Sequence, residues 1–152
     1  MTPEARLTEL KLTLPPAPKP MATYSTAVRE GALLYVSGHG PLRPDGSYVT
    51  GKLGADLDVA AGREAARLTG LAVLATLKAH LGSLDKVVRI VKVLGMVNAT
   101  PDFKDHPQVV NGFSDLMVQV FGDAALAARS AVGTASLPAG IAVEVEAIFA
   151  VK

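Results

Sequence analysis

The sequence contains no cysteine and no tryptophan among its 152 residues, and aromatic side chains make up only 5% of it. Without thiols there is no disulfide, no thiolate nucleophile and no zinc centre with sulfur ligands. The same absence is compatible with a reducing compartment. With so few aromatic rings, Val, Ala and Leu must build the core, and at 49% apolar the chain has enough of them. Long hydrophobic runs are missing as well. No stretch approaches the roughly 18 apolar residues of a membrane span. The start, Met1-Thr2-Pro3-Glu4, lacks the basic flank and apolar segment of a secretory signal, so a cytoplasmic protein without a membrane partner is expected. An excess of one charge is also absent, with 15 basic against 14 acidic residues and a net charge of +1. Nucleic-acid binding usually shows as a basic stripe that neutralises several phosphates, and none is present.

What is present reads as one α+β domain, 21–152, behind a lead-in, 1–20. Within the lead-in, residues 3–10 can form a short helix. Pro15-Pro16-Ala17-Pro18-Lys19-Pro20 then favours extended backbone that crosses the surface. Tyr24–Val28 and Ala32–Ser37 read as strands joined by a turn at Arg29-Glu30-Gly31. Gly38–Gly54, rich in glycine, reads as one long loop. Asp58 caps a predicted helix to Leu81, where Ala61, Ala65, Leu68, Ala72, Ala75 and Ala79 recur at alternating four- and three-residue spacings and so share a face. Val87–Val97 is a strand, apolar on both faces apart from Arg89, Lys92 and Gly95. Pro107–Phe121 is a helix whose buried side carries Val109, Phe113, Leu116, Met117 and Val120. Ser130–Ala135 and Ile141–Val151 close the chain as strands.

The order is therefore ββαβαββ: one mixed sheet with two helices on one face. A strand apolar on both sides wants both sides covered, and two helices cannot do that. The bare face is expected to meet other subunits.

Several motifs carry little chemistry. Gly46–Lys52 imitates the start of a phosphate-binding loop, but Leu53 stands where Ser or Thr must hold magnesium. His39, His80 and His106 are scattered and lack the helical i, i+4 spacing of a metal pair, so no metal site is expected. Ser37-Gly38-His39 puts a serine and a histidine on a turn without an acid to orient them. The C-terminal third is richer. Arg129 opens an apolar strand, and Glu144 and Glu146 alternate with Val143, Val145 and Ala147, so both acids leave one face of a hydrophobic strand. A charge there is costly unless paired. Arg grips planar carboxylates through two parallel hydrogen bonds, so Arg129 either closes an ion pair with one of these acids at an interface or receives a small acid from outside.

Ala128-Arg129-Ser130-Ala131-Val132, then Leu137-Pro138 and Val143-Glu144-Val145-Glu146-Ala147-Ile148, resemble the signature of the Rid (reactive intermediate deaminase) or YjgF family. Tyr24, Val36-Ser37-Gly38 and Val110-Asn111 also stand where the family has counterparts. The resemblance implies a chorismate-mutase-like fold assembled as a homotrimeric barrel with clefts between subunits. It implies hydrolysis of enamines and imines such as 2-aminoacrylate and 2-iminopropanoate to 2-keto acids and ammonia, with no cofactor or metal. By the same resemblance Arg129 binds the substrate carboxylate and Glu144 positions or activates water. Tyr24, Ser37 and Asn111 line the cleft, and the backbone of Ala131 contacts the reacting nitrogen. The chain departs from the family at Ala131, where many members have Cys, at Ala22-Thr23 before the tyrosine, and at His39 in place of Gln. These departures keep open a non-catalytic protein that binds small carboxylates such as keto acids. A ribonuclease activity is also sometimes attached to the family, and the near-neutral charge speaks against it.

Overall fold

The computed structural model describes residues 1–152. Its strands are β1 (Ala27–Glu30), β2 (Leu33–His39), β3 (Val87–Asn98), β4 (Ala128–Thr134) and β5 (Val143–Val151). Its helices are α1 (Pro3–Glu9), α2 (Val59–Leu81) and α3 (His106–Phe121). The five strands form one sheet in the order β1-β2-β5-β3-β4. Only the β3–β4 pair is parallel; the other neighbours run antiparallel. The expected α+β arrangement is therefore the one found, and the short helix expected over residues 3–10 is present as α1.

Local chemistry accounts for the elements. Gly31, at φ 61°, turns β1 into β2. The Asp58 carboxylate accepts from the Ala61 N–H to start α2, and Gly82, at φ 81°, ends it with its N–H on the Lys78 carbonyl. β2-α2-β3 and β3-α3-β4 both join strands of one direction, so both helices cover the same face. Between them and the sheet lies the core, in which Leu34, Leu53, Leu74, Leu77, Val93, Phe113, Met117, Val145 and Phe149 are buried.

The shared face expected on α2 holds in its middle, where Ala65, Ala72 and Ala75 are buried, but not at its ends. Ala79 is exposed and Ala61 only half-buried, whereas every residue from Thr69 to Leu77 is buried. The reason is that α2 packs against the sheet on one side and α3 on the other, so its middle has no solvent face. Glycines let the two helices close in: a Cβ on Gly70 would stand 2.7 Å from Leu116 Cδ2, and one on Gly112 would overlap the Arg63 carbonyl. α3 keeps a free outer side, and all five positions expected on its inner side are buried.

Strand ends also move. β1 starts at Ala27 rather than Tyr24 and runs through Glu30, which narrows the turn to Gly31-Ala32. β4 begins earlier, at Ala128, and β5 later, at Val143. The supposed loop from Gly38 is partly paired: β2 continues to His39, and bridges join Leu42 to Tyr48 and Thr50 to Ile141. Lys52, the lysine of the phosphate-loop imitation, donates from Nζ to Asn98 Oδ1 at 2.9 Å and to the Ala135 carbonyl, so it clasps the β4–β5 connection.

The lead-in is anchored. Glu4 accepts from the Leu84 N–H at 2.9 Å and from Lys78 Nζ at 2.9 Å, and Leu7 is buried. Leu12 and Leu14 pack on the core, after which the proline segment brings Pro18 and Met21 to the opposite side of the sheet.

Candidate functional site

The second sheet face has no helix. Strand alternation places Val28, Tyr35, Ile148, Glu146, Glu144, Leu94, Met96, Ser130 and Val132 on it, in register through the pairs Val28–Tyr35, Tyr35–Ile148, Leu94–Glu146, Met96–Glu144 and Met96–Val132. Tyr35 is 46% and Val132 43% exposed, an apolar patch of the kind that marks a contact surface.

Beside this patch opens a cavity of about 580 Å³. Its floor is Ser37, Gly38, His39 and Glu144, and its walls include Tyr24, Tyr48, Met96, Ile141 and the proline segment. Glu144 is half-buried. Burial, and then the charge of Glu146, hold its carboxyl above the ordinary carboxylate range. The carboxyl rests on backbone: a Cβ on Gly38 would lie 2.9 Å from Glu144 Cδ. Ser37 donates its hydroxyl proton to the Ser25 carbonyl at 2.6 Å, which leaves the oxygen available as an acceptor. Tyr24 stands at the rim, 45% exposed.

Arg129 belongs elsewhere. Its guanidinium donates to Asn111 Oδ1 at 2.8 Å, to Ser114 Oγ at 3.2 Å and to the Pro107 carbonyl at 3.5 Å, all on α3. It therefore lies on the helix-covered face at the β4 edge, whereas Glu144 leaves the bare face. It has no carboxylate partner in the chain, whose ion pairs are Arg63–Asp115, Arg67–Glu64 and Lys78–Glu4. The expected site residues thus fall into two groups: Tyr24, Ser37 and Glu144 around the cavity, and Arg129 with Asn111 behind the sheet edge. Ala131, two residues from Arg129 on β4, points to the same side and packs on the core.

The structure corrects the place of one residue of the cavity floor. His39 was placed on a turn, but a bulge in the β2–β5 pairing between Val36 and His39 turns its side chain inward, where it is 5% exposed. A bulge leaves no signature in hydrophobic alternation, so only a polar residue ending an apolar strand hinted at it.

Comparison with known proteins identifies the architecture. A family model described as "YjgF/chorismate_mutase-like, putative endoribonuclease" matches residues 4–149, and the chain belongs to that family. It is 45% identical over 145 residues to Protein TCP17 of Trypanosoma cruzi, covering 95% of this chain and 91% of that one. The crystal structure of Atu1372 from Agrobacterium tumefaciens superposes with a TM-score of 0.91 at 43% identity, over 99% of this chain and 92% of that one. RidA from the Antarctic bacterium Psychrobacter superposes with a TM-score of 0.63 at 28% identity, over 89% of this chain and 94% of that one. No helix of the structure is long and apolar enough to cross a membrane.

Proposed function

We propose that this protein hydrolyses reactive imines and enamines of the 2-aminoacrylate and 2-iminopropanoate class to 2-keto acids and ammonia, as a homotrimer whose site forms between subunits. The observation that carries the reading is the separation of Arg129 from Glu144. An unpaired guanidinium at one sheet edge and a desolvated carboxyl on the opposite face cannot serve one small molecule within a single chain. They can if the bare face of one subunit receives the β4 edge of the next, and a closed ring of such contacts satisfies every copy.

In that arrangement Arg129, oriented by Asn111 and Ser114, grips the substrate carboxylate through two N–H bonds. An enamine first takes a proton at its terminal carbon and gives one up from its nitrogen, becoming the imine. Glu144 then removes a proton from water as the oxygen bonds to the imine carbon, and the C=N electron pair moves to nitrogen. The carboxyl returns its proton to that nitrogen, giving a carbinolamine. The carbinolamine hydroxyl proton then passes by way of the carboxylate to the amine nitrogen as the C–N bond breaks and the C=O bond forms, and keto acid and ammonia leave. A carboxyl held above its ordinary range suits these proton steps near neutrality. Tyr24 and Ser37 line the approach, and the Ala131 backbone is available to the nitrogen. Such imines hydrolyse unaided, so positioning plus one acid–base group, worth about 10²–10⁴-fold, suffices.

A ribonuclease reading gains little support: the one histidine in the cavity, His39, has both ring nitrogens occupied by hydrogen bonds. The test is to generate 2-aminoacrylate with a dehydratase and follow keto acid. Acceleration by the wild-type protein and none by Arg129→Ala supports hydrolysis. Tight keto-acid binding without acceleration supports a carboxylate-binding protein instead.

A further inference from the structure

We infer that His39, held by Thr76, is the positioning residue for the Glu144 carboxyl; the inference rests on the reading of Glu144 as the acid–base group. His39 Nδ1 lies 2.6 Å from the Ser37 carbonyl, which can only accept, so Nδ1 carries the proton. Its Nε2 lies 2.7 Å from Thr76 Oγ1 and accepts the threonine hydroxyl proton. Both partners are therefore satisfied by one neutral tautomer. Burial, the largest effect, and the nearby His80 keep the ring from taking a second proton against the opposing influence of the Ser37 bond. Thr76 is 1% exposed in the fully buried middle of α2.

The chain of contacts leads to the carboxyl. α2 fixes Thr76, Thr76 and the Ser37 carbonyl fix the imidazole, and the imidazole fixes the bulge that presents Gly38. The Glu144 carboxyl packs on that glycine, with no room for even a Cβ between them. Glu144 has no hydrogen-bond or ion-pair partner of its own in the chain, so this backbone surface is what defines its place. The other titratable groups around the cavity are Glu146, Lys19, Tyr24 and Tyr48, and His80 sits one turn beyond Thr76, bonded to Thr26 Oγ1 at 3.0 Å.

The experiment combines two readouts on His39→Ala, His39→Gln and Thr76→Val: turnover of 2-iminopropanoate, and the titration of Glu144 followed by ¹³C NMR of its carboxyl. Gln can donate to Ser37 and accept from Thr76, so it should keep most of both properties. Ala and Val should lower the Glu144 titration toward the ordinary range as water reaches the carboxyl. They should reduce kcat about tenfold to a hundredfold with KM little changed, the size expected for a misplacement of about 1 Å. Unchanged titration and unchanged kcat in His39→Ala would overturn the inference. Should that variant not fold, Thr76→Val, which keeps volume and removes only the hydroxyl, decides alone. If the wild-type protein shows no turnover, the hydrolytic reading fails, while the titration still judges the positioning role.

Discussion

Glu144 and Gly38 are in backbone-to-carboxyl contact across the β2–β5 pair, close enough that a methyl group at position 38 would stand 2.9 Å from the carboxyl carbon and 3.1 Å from Oε1. The contact makes the glycine a sensitive test of the site, because its backbone is outside the left-handed region and any residue could adopt it. Gly38→Ala should leave the fold intact, since position 38 is exposed and the carboxyl can swing away. Turnover of 2-iminopropanoate should drop about tenfold to a hundredfold. Steady-state kinetics beside a thermal melt separates the two effects.

The raised titration of Glu144 has a consequence for stability. The folded chain holds the proton to higher pH than the unfolded chain, so it binds more protons between the ordinary carboxylate pKa and its own. Stability therefore falls as pH rises through that window and stays lower above it. Glu144→Gln should be inactive yet melt higher than wild type at neutral pH, with the gap closing below about pH 4, under the ordinary carboxylate pKa. Melting curves across pH check the sign.

Gly112 faces the Arg63 carbonyl oxygen where α3 crosses α2, and a side chain there meets backbone rather than a flexible tip. Gly112→Ala should lower stability by about 1–3 kcal/mol or more by forcing the helices apart. The urea midpoint should fall with the slope unchanged.

Tyr35 projects from the helix-free face, 46% exposed, next to Val28 and Ile148. A charge placed there would be buried without a partner if subunits close over it. Tyr35→Asp should convert the assembly to a smaller species in sedimentation velocity while the far-UV circular dichroism of the subunit is kept.

How far the sequence foretold this structure depended on how many sides each element has. α3 has one wet face, and its 3.6-residue pattern named Val109, Phe113, Leu116, Met117 and Val120 correctly. α2 is enclosed on two sides, so its alanine stripe is only one of several apolar faces: Ala65, Ala72 and Ala75 are buried, while its ends at Ala61 and Ala79 are not. β3 was legible as apolar on both sides, and the structure shows Leu94 and Met96 half-buried on the helix-free face for that reason. Arg129, Asn111 and Glu144 were proposed from their motif. That the first two lie behind the sheet edge and the last on its bare face follows from register, which no local pattern encodes. His39 was missed as a buried residue because a bulge shifts parity by one.

The central claim is that Arg129 of one subunit works with Glu144 of another, and subunit mixing tests it most directly. Arg129→Ala and Glu144→Gln proteins, each inactive, are unfolded together and refolded as mixed rings. Every mixed trimer of a closed ring then contains one interface with both residues intact, so about a quarter of all sites should recover. Activity returning to roughly that fraction of wild type is the predicted result. A mixture as inactive as its two components, with mixed rings verified by mass, would contradict the account.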